Sequence, residues 1–275
     1  MDDTEHLPIA QLDLRDTAGG LALSTEARWN QNEADWQYFL SKGAVFGMRD
    51  RDGHLVATAA LLPYTTSDAW ISMVLVTQHW RRRGLATRLV DTCLDTASKL
   101  ALTTWLDATP EGARVYGPLG FTPTLQLRRL RLAQAPAGAS GPTPRTGHIT
   151  EFLTCDVSAM GFDRHALLKA LAARPGSKLL SNGNAMALVR DGRTARHLGP
   201  LFADTPASAL GMVRDIVASE SCPVLIDAVA SQDVFLKGLT ENGWVVERSF
   251  QRMRFGRAKA ETAELPFAVA GPEFG

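Results

Sequence analysis

The stretch of residues 71–100 limits the possible folds more than any other part of the chain. It reads ISMVLVTQHWRRRGLATRLVDTCLDTASKL, a Val- and Ile-rich run, a loop with three arginines and one glycine, and a segment with apolar residues four apart. This order predicts a strand, a loop and an amphipathic helix. A Gly-containing loop at a helix N-terminus often holds phosphate, because the first-turn N–H groups are unpaired and the helix dipole is positive there.

Composition limits the class of protein. The chain has 275 residues, which favours about two domains, and 45% of them are hydrophobic. Its 29 basic and 29 acidic side chains give a formal net charge of zero. Bulk electrostatic attraction to nucleic acid or to an anionic membrane is therefore not expected. We predict a globular protein that binds neither.

Cysteine and histidine usage argues against metal and disulfide chemistry. The three cysteines, Cys93, Cys155 and Cys222, are odd in number and far apart, unlike a disulfide framework or a zinc site. The six histidines show no metal-ligand spacing, so we expect no metal. The N-terminus MDDTEHLPIA has no signal-peptide pattern, and no apolar run approaches the roughly 20 residues of a spanning helix. A cytoplasmic location is the prediction.

The first half reads as alternating strands and helices. Strands are predicted over residues 44–48 and 55–62, joined by an Asp-Gly hairpin, and then over 69–76, 102–106 and 124–132. One or two short helices are predicted within 25–40. A further helix begins at Leu85, with Leu89, Cys93 and Ala97 on its apolar face. Thr109 and Pro110 form a helix start, and that helix passes through Tyr116.

Two motifs within this pattern resemble one family. Arg81-Arg82-Arg83-Gly84-Leu85-Ala86 is similar to the acyl-CoA pyrophosphate signature of the GCN5-related N-acetyltransferases (GNAT), and it follows a strand as expected. About 30 residues later, Tyr116-Gly117-Pro118-Leu119-Gly120-Phe121 resembles the second family motif. Two motifs in the right order and structural context are far more specific than either alone.

The resemblance implies an acetyl-CoA site and a catalytic group. The main chain of Val74, Leu75 and Val76 would pair with the pantetheine arm, and a backbone N–H there would stabilise the oxyanion. Tyr116 corresponds to the residue that often protonates the departing thiolate; an aromatic core residue is the plainer interpretation. The pyrophosphate would lie at the loop and the start of the helix, formed by Arg81, Arg82, Arg83, Gly84, Leu85, Ala86 and Thr87.

Acceptor-binding residues are less well defined. Trp29, Asn30, Gln31 and Asp35 lie where family members usually place acceptor-binding helices, although aromatics there are more often core. Asp107 ends a strand, where it could bind the amine or simply cap the following turn. The family's pantetheine-contacting Asn is absent from this region, which reads Asp107-Ala108-Thr109-Pro110-Glu111.

The second half resembles a degenerate copy of the first. Residues 133–147 have a linker composition rich in Pro and Gly, and a helix is predicted after Asp163. Leu225-Ile226-Asp227-Ala228 echoes Trp105-Leu106-Asp107-Ala108, and Gly243-Trp244 echoes Gly120-Phe121. No Arg-x-x-Gly-x-Ala segment precedes the helix predicted near Pro206. An aspartate, Asp204, stands there instead, so one cofactor site per chain is expected.

The whole chain thus resembles a bacterial group of two-domain acetyltransferases. We expect an α/β (α+β) fold with two tandem GNAT-like domains, each a mixed, mostly antiparallel sheet flanked by helices. The predicted boundaries are 1–134 for the acetyltransferase domain, 148–256 for the degenerate domain and 257–275 for a C-terminal tail. The implied activity is transfer from acetyl-CoA to a primary amine, more often a small molecule than a protein lysine, by a monomer or homodimer. A non-catalytic acyl-CoA sensor or interaction module is the alternative.

Overall fold

The computed structural model describes residues 7–136, 141–257 and 265–275. The strands in these ranges are β1 (Ile9–Gln11), β2 (Ala44–Arg49), β3 (Leu55–Pro63), β4 (Asp68–Val76), β5 (Thr103–Ala108), β6 (Thr122–Leu132), β7 (Arg145–Thr146), β8 (Lys178–Ser181), β9 (Ala185–Arg190), β10 (Arg196–Ala203), β11 (Val224–Val229) and β12 (Val245–Phe255). The α-helices are α1 (Thr17–Glu26), α2 (Glu33–Lys42), α3 (Leu85–Lys99), α4 (Pro110–Tyr116), α5 (Ile149–Met160), α6 (His165–Ala172), α7 (Pro206–Ser219) and α8 (Asp233–Glu241).

All twelve strands belong to one continuous sheet in the order β1-β2-β3-β4-β5-β12-β6-β11-β10-β9-β8-β7. Two neighbouring pairs, β4 with β5 and β10 with β11, are parallel, and the others are antiparallel. The α+β class with mixed, mostly antiparallel strands is therefore confirmed. The sequence did not predict that the two halves share a sheet.

The halves exchange their last strands. β12, from the second half, lies between β5 and β6 of the first half. β6 in turn pairs with β11 of the second half. Each half thus completes the sheet of the other, and the two helix-flanked units form one hydrogen-bonded body.

Local sequence signals place the elements that matter for the site. The apolar residues of α3, including Leu85, Leu89 and Cys93, are buried against the sheet, as their spacing predicts. α4 begins at Pro110, and the side chain of Thr109 caps it by accepting the Gly112 N–H at 3.2 Å. The predicted hairpin of β2 and β3 is also present.

The start of the second half differs from the prediction. α5 was not predicted, because it follows a Pro- and Gly-rich segment that reads as linker; residues 137–140 of that segment lie outside the described ranges. The helix expected after Asp163 is α6, with Arg164 rather than Asp163 at the N-cap position. Asp163 still accepts the His165 N–H at 2.6 Å.

The largest apolar core joins both halves on one face of the sheet. Trp36 and Phe39 from α2 contribute to it together with Phe152 from α5. Phe274, near the C-terminus, stacks on Phe39 with 5.0 Å between ring centroids. The C-terminal segment, defined here as residues 265–275, is therefore packed between the halves; residues 258–264 of the predicted tail lie outside the described ranges. In the ranges given above, no helix is both long and apolar enough to cross a bilayer.

Candidate active site

β4 and β5 separate soon after they begin to pair. Their parallel register covers only three positions, from Asp68 opposite Thr103 to Trp70 opposite Trp105. Beyond that point the two strands line opposite walls of a cavity of about 90 Å³, called the central cavity below. Parts of β4 (71–74) and β5 (106–108) form these walls. The separation creates a cleft at the centre of the shared sheet.

A β-bulge in β4 lies at this cleft. Ala60 pairs with Ser72 and Thr58 pairs with Leu75, so β4 has one residue more than β3 over this interval. Met73 takes a left-handed conformation at φ 51°, and Thr58 Oγ1 donates to its carbonyl at 2.8 Å. A bulge leaves the extra residue out of the strand ladder. Main-chain groups of β4 are therefore released from β3 beside the cavity.

The second half shows what such a cleft can hold. β10 and β11 also pair in parallel for three positions and then separate, but there the C-terminal segment fills the gap. Leu201 N–H donates to Ala268 O at 2.9 Å, and Val269 N–H donates to Asp227 O at 3.0 Å. A Cβ on Gly199 would lie 2.1 Å from Val269 O, so glycine is required for this approach. An extended amide chain thus fits between the separated strands.

The arginine loop ends at an uncapped helix. Gly84 is the N-cap of α3 at φ 75°, and no side chain caps the helix. The Arg88 N–H, which donates to Gly84 O at 3.1 Å, is the first in the helical ladder. The N–H groups of Leu85, Ala86 and Thr87 precede it and have no helical acceptor. A Cβ on Gly84 would meet no atom within 4 Å, so the space above these donors is open.

The arginines around this helix start are exposed and partly ordered. Arg81 Nε donates to Val76 O at 3.0 Å, which ties the loop to the end of β4. Arg83 stacks on Trp80, with 5.0 Å between guanidinium carbon and ring centroid. Arg82 takes a left-handed conformation at φ 60°. Open N–H groups, a positive dipole end and guanidinium groups together suit a diphosphate.

The corresponding helix of the second half is closed. Thr205 caps α7 by accepting the Ser208 N–H at 3.1 Å, and Pro206 occupies its first turn. Asp204 adds negative charge beside it. In this half, the first turn of α7 does not offer the same free N–H donors, and the C-terminal segment occupies the gap between β10 and β11. These features favour the predicted single site per chain.

Tyr116 reaches the central cavity from α4. Its side chain is buried and lines the cavity beside Asp107 and Gly112. Within the described ranges no group hydrogen-bonds its hydroxyl. Burial raises the pKa of Tyr116 above the ordinary value of 10, so the phenol remains protonated at neutral pH. It can donate a proton to a leaving group in the cavity.

Asp107 is engaged by the other half. Its two carboxylate oxygens accept from Arg252 Nε and Nη2, both at 2.9 Å. Burial raises the pKa of Asp107, and the Arg252 guanidinium opposes the rise. Asp227, at the equivalent position 120 residues later, makes the same paired bonds with Arg129, both at 2.8 Å. The same Asp–Arg ion pair is thus present in the second half, which lacks the arginine loop. We therefore interpret Asp107 as the residue that anchors the exchanged strand β12.

Of the other residues predicted to bind the acceptor, two make structural contacts and one lines the central cavity. Asn30 binds the second half: its Oδ1 accepts from the N–H groups of Thr194 and Ala195 at 2.9 and 3.0 Å. Asp35 accepts from Arg174 Nη1 at 2.6 Å and from the Asn32 N–H at 2.9 Å. These partners favour a structural role for both. Trp29 does line the central cavity and stays a candidate.

Sequence reasoning missed several cavity residues that come from distant parts of the chain. Gln31 lies in the predicted acceptor region, but nothing in the sequence gave it a specific contact. Ser72 was hidden within a strand, and no local pattern marks Glu273 as part of a site. The other polar side chains of the wall are Thr109, at the start of α4, and Arg129 and Arg248, from the exchanged strand β6 and from β12.

One group of potential metal ligands exists outside the cavity. Ligand atoms of Asp50, Asp52 and His54 lie within 4.8 Å of one another in the turn between β2 and β3. Asp50 Oδ1 accepts the N–H groups of both other residues. The turn itself therefore explains the arrangement, and the absence of a metal cofactor stays a prediction.

Family models match both halves. Residues 12–121 match the model described as "Acetyltransferase (GNAT) family", and residues 152–267 match "Acetyltransferase (GNAT) domain". Together they cover most of the chain, which belongs to the GNAT acetyltransferases and carries two GNAT domains in tandem. It is accordingly an N-acetyltransferase, and the family implies an acyl-CoA cosubstrate.

Three relatives illustrate this similarity, and the names of these three specify no acceptor. The chain is 23% identical to the uncharacterized N-acetyltransferase YitH of Bacillus subtilis, over 82% of this chain and 84% of that protein. A structure from Pyrococcus horikoshii, provisionally assigned as an acetyltransferase, aligns with TM-score 0.82 and 19% identity over 97% and 95% of the two chains. A tandem GNAT protein from the clavulanic acid pathway aligns with TM-score 0.63 and 14% identity over 93% and 100%. At these identities the two structures establish the fold alone.

Proposed function

We propose that this enzyme transfers the acetyl group of acetyl-CoA to a primary amine on a small molecule, by direct attack in a ternary complex. The observation that carries the proposal is the cleft between β4 and β5. Its cavity is lined by Tyr116, and β4 leads along the chain to the uncapped N-terminus of α3. A thioester held along this cleft would meet an amine in the cavity.

The chain offers a separate site for each part of the cosubstrate. Val74, Leu75 and Val76 would pair with the pantetheine arm, as the C-terminal segment pairs within the second half. The residues from Arg81 to Thr87 would bind the pyrophosphate through backbone N–H groups and guanidinium charge. Acetyl-CoA would supply the activated acetyl thioester. These residues fit it because the equivalent gap between β10 and β11 accepts an extended amide chain and the start of α3 is uncapped.

Tyr116 is proposed as the general acid. Its buried phenol keeps its proton at neutral pH and lies in the cavity wall, where it can protonate the departing thiolate. A main-chain N–H released by the bulge at Met73 would stabilise the developing oxyanion. Catalysis then consists mainly of positioning and charge stabilisation.

A small acceptor is favoured over a protein lysine because the cavity is only about 90 Å³ and is lined by both halves and by the C-terminal segment. Trp29, Phe250 and Pro272 contribute walls from three different parts of the chain. No second subunit is needed to complete this lining. The proposal accordingly requires one chain, acting as a monomer or within a homodimer.

Calorimetry with acetyl-CoA, followed by thiol-release assays with amino acids, polyamines, aminoglycosides and lysine peptides, tests the proposal. We expect one binding site per chain and turnover with a small amine. Absence of binding would remove the cofactor assignment. Binding without thiol release across the whole panel would instead support the acyl-CoA sensor.

A further inference from the structure

Three buried polar atoms beside the central cavity have no partner. Gln31 Oε1, Ser72 Oγ and Glu273 Oε2 make no hydrogen bond within the described ranges. Their residues are only 4%, 8% and 5% exposed, and all three line the cavity. An unsatisfied buried polar atom destabilises the fold, because no hydrogen bond offsets the loss of its hydration. Three of them at one cavity indicate a ligand that satisfies them together.

The chemistry of the three atoms defines that ligand. A carboxylate oxygen accepts only, and an amide oxygen and a hydroxyl oxygen can each accept. A primary ammonium group carries three N–H donors and no acceptor. The three N–H donors of a primary ammonium group therefore match the three acceptor oxygens in number and type. The negative charge of the Glu273 carboxylate also complements the positive charge of the ammonium group.

Glu273 is held with one oxygen occupied and the other free. Its Oε1 accepts from Arg190 Nη2 at 2.8 Å. The chain bends around it at Gly271, where a Cβ would lie 2.8 Å from both carboxylate oxygens. Stacking of Phe274 on Phe39 fixes the following residue. The C-terminal segment thus delivers a rigid carboxylate to the cavity of the first half.

The opposite charge at the cavity comes from Arg248. Asp107 and Arg129 are already paired with Arg252 and Asp227. The Arg248 side chain is partly buried and has no hydrogen-bond or ion-pair partner within the described ranges. Burial and the neighbouring Arg129 guanidinium lower the pKa of Arg248, and the carboxylates of Glu247, Asp227 and Glu111 oppose this effect from farther away. The guanidinium therefore has no counter-ion in direct contact. A substrate anion would supply one.

We propose that the acceptor is a primary amine that also carries an anionic group, with its nitrogen bound by Glu273, Gln31 and Ser72 and its anion bound by Arg248. This assignment rests on the acetyltransferase function proposed above and names its substrate class. Carboxylate and phosphate would both satisfy the guanidinium.

Glu273 is also the proton acceptor in this arrangement. One ammonium N–H bond breaks, and its proton passes to Glu273 Oε2. The freed nitrogen lone pair forms the bond to the acetyl carbon while the C–S bond breaks, and the thiolate takes a proton from Tyr116. A second proton leaves the nitrogen to solvent. Glu273 then releases the proton that it accepted and Tyr116 regains one, so the net products are the amide, the free thiol and one proton.

Matched amine pairs test the substrate class on the wild-type protein. The pairs are glycine and methylamine, L-phenylalanine and 2-phenylethylamine, and O-phosphoethanolamine and ethanolamine. A charged hydrogen bond corresponds to about 10- to 100-fold, so kcat/KM should favour the anionic member of at least one pair by that factor. The first two pairs report on carboxylate and the third on phosphate. If every neutral amine is turned over as well as or better than its anionic partner, the proposed substrate class is wrong. Release of the thiol in the absence of any amine would instead overturn the proposed acetyltransferase function.

Two variants test the assigned atoms. Glu273→Gln keeps an acceptor for Arg190 but loses the base, so kcat should fall about 10²-fold or more while acetyl-CoA binding is unchanged. Arg248→Gln should raise KM for the anionic amine and abolish its preference over the neutral partner. Glu241→Gln, on the exposed face of α8, is the matched control. Wild-type kcat in Glu273→Gln, or an unchanged preference in Arg248→Gln, would refute the assignment.

The pH profile separates a base from a purely structural carboxylate. Burial raises the pKa of Glu273; Asp35 adds to the rise, and Arg190 and Arg129 oppose it. Because the deprotonated form is active, kcat should increase with pH through a value above that of an exposed glutamate. This ascending limb should disappear in Glu273→Gln, and its persistence there would exclude Glu273 as the base.

Discussion

Replacing Asp107 by Asn distinguishes an anchor from a catalytic base. Asp107 is fully buried and Arg252 nearly so, with side-chain exposures of 0% and 8%. The change leaves the guanidinium buried without a counter-charge, and breaking a buried ion pair in this way costs about 3–5 kcal/mol. For a chain of this size, Tm should fall by roughly 6–10 °C. Asp227→Asn, which breaks the equivalent pair with Arg129, should have a similar effect.

The assay combines thermal unfolding with turnover well below the Tm of each variant. If Asp107 serves as an anchor, both variants lose stability and Asp107→Asn loses less than about tenfold in kcat. Removing a true general base costs about 10²–10⁴-fold. A wild-type Tm together with a loss of that size in Asp107→Asn would refute our interpretation and restore Asp107 as a catalytic candidate.

Three further changes test other parts of the structure. Tyr116→Phe should lower kcat by about 10²-fold with acetyl-CoA affinity retained, measured by steady-state kinetics and calorimetry. Gly84→Ala and Gly53→Ala both place a Cβ in open space at positive φ. Each should therefore lower the free energy of unfolding, measured in urea, by about 1–2 kcal/mol. Only Gly84→Ala should also weaken acetyl-CoA binding. In the folded protein, burial lowers the pKa of His197 well below 6.5. As the pH drops below about 6.5, the unfolded chain therefore binds a proton that the folded chain does not, and the stability of the fold should decrease. His197→Gln should reduce that slope in unfolding curves at pH 5 and 7.

The parts of the fold that could be predicted are those encoded locally. The apolar spacing of α3, the Asp-Gly hairpin and the cap at Thr109 each depend on a few neighbouring residues, and all are present. Gly84 was selected from the sequence because a residue without a Cβ lets the backbone approach a pyrophosphate. Its left-handed N-cap conformation is known only from the structure. The internal echo also revealed the duplication. What it could not reveal is which copy of a strand pairs with which half.

The parts that could not be predicted depend on contacts between distant residues. Asp107 appeared to be a substrate residue because nothing near it in sequence shows that Arg252, 145 residues later, binds both of its oxygens. Glu273 is separated from Ser72 by 201 residues, and only the path of the C-terminal segment brings both to one cavity. Buried orphan atoms are visible only after the packing is known.

The duplicated cleft explains how one chain can be both enzyme and scaffold. In the second half, the gap between β10 and β11 binds residues 267–269 of the chain itself. That binding directs the next residues across the sheet, where Glu273 reaches the cavity of the first half. A second copy that bound acyl-CoA could not guide the segment in this way. The path of the C-terminal segment therefore links two features: the occupied gap of the second half and the carboxylate of Glu273 at the cavity of the first.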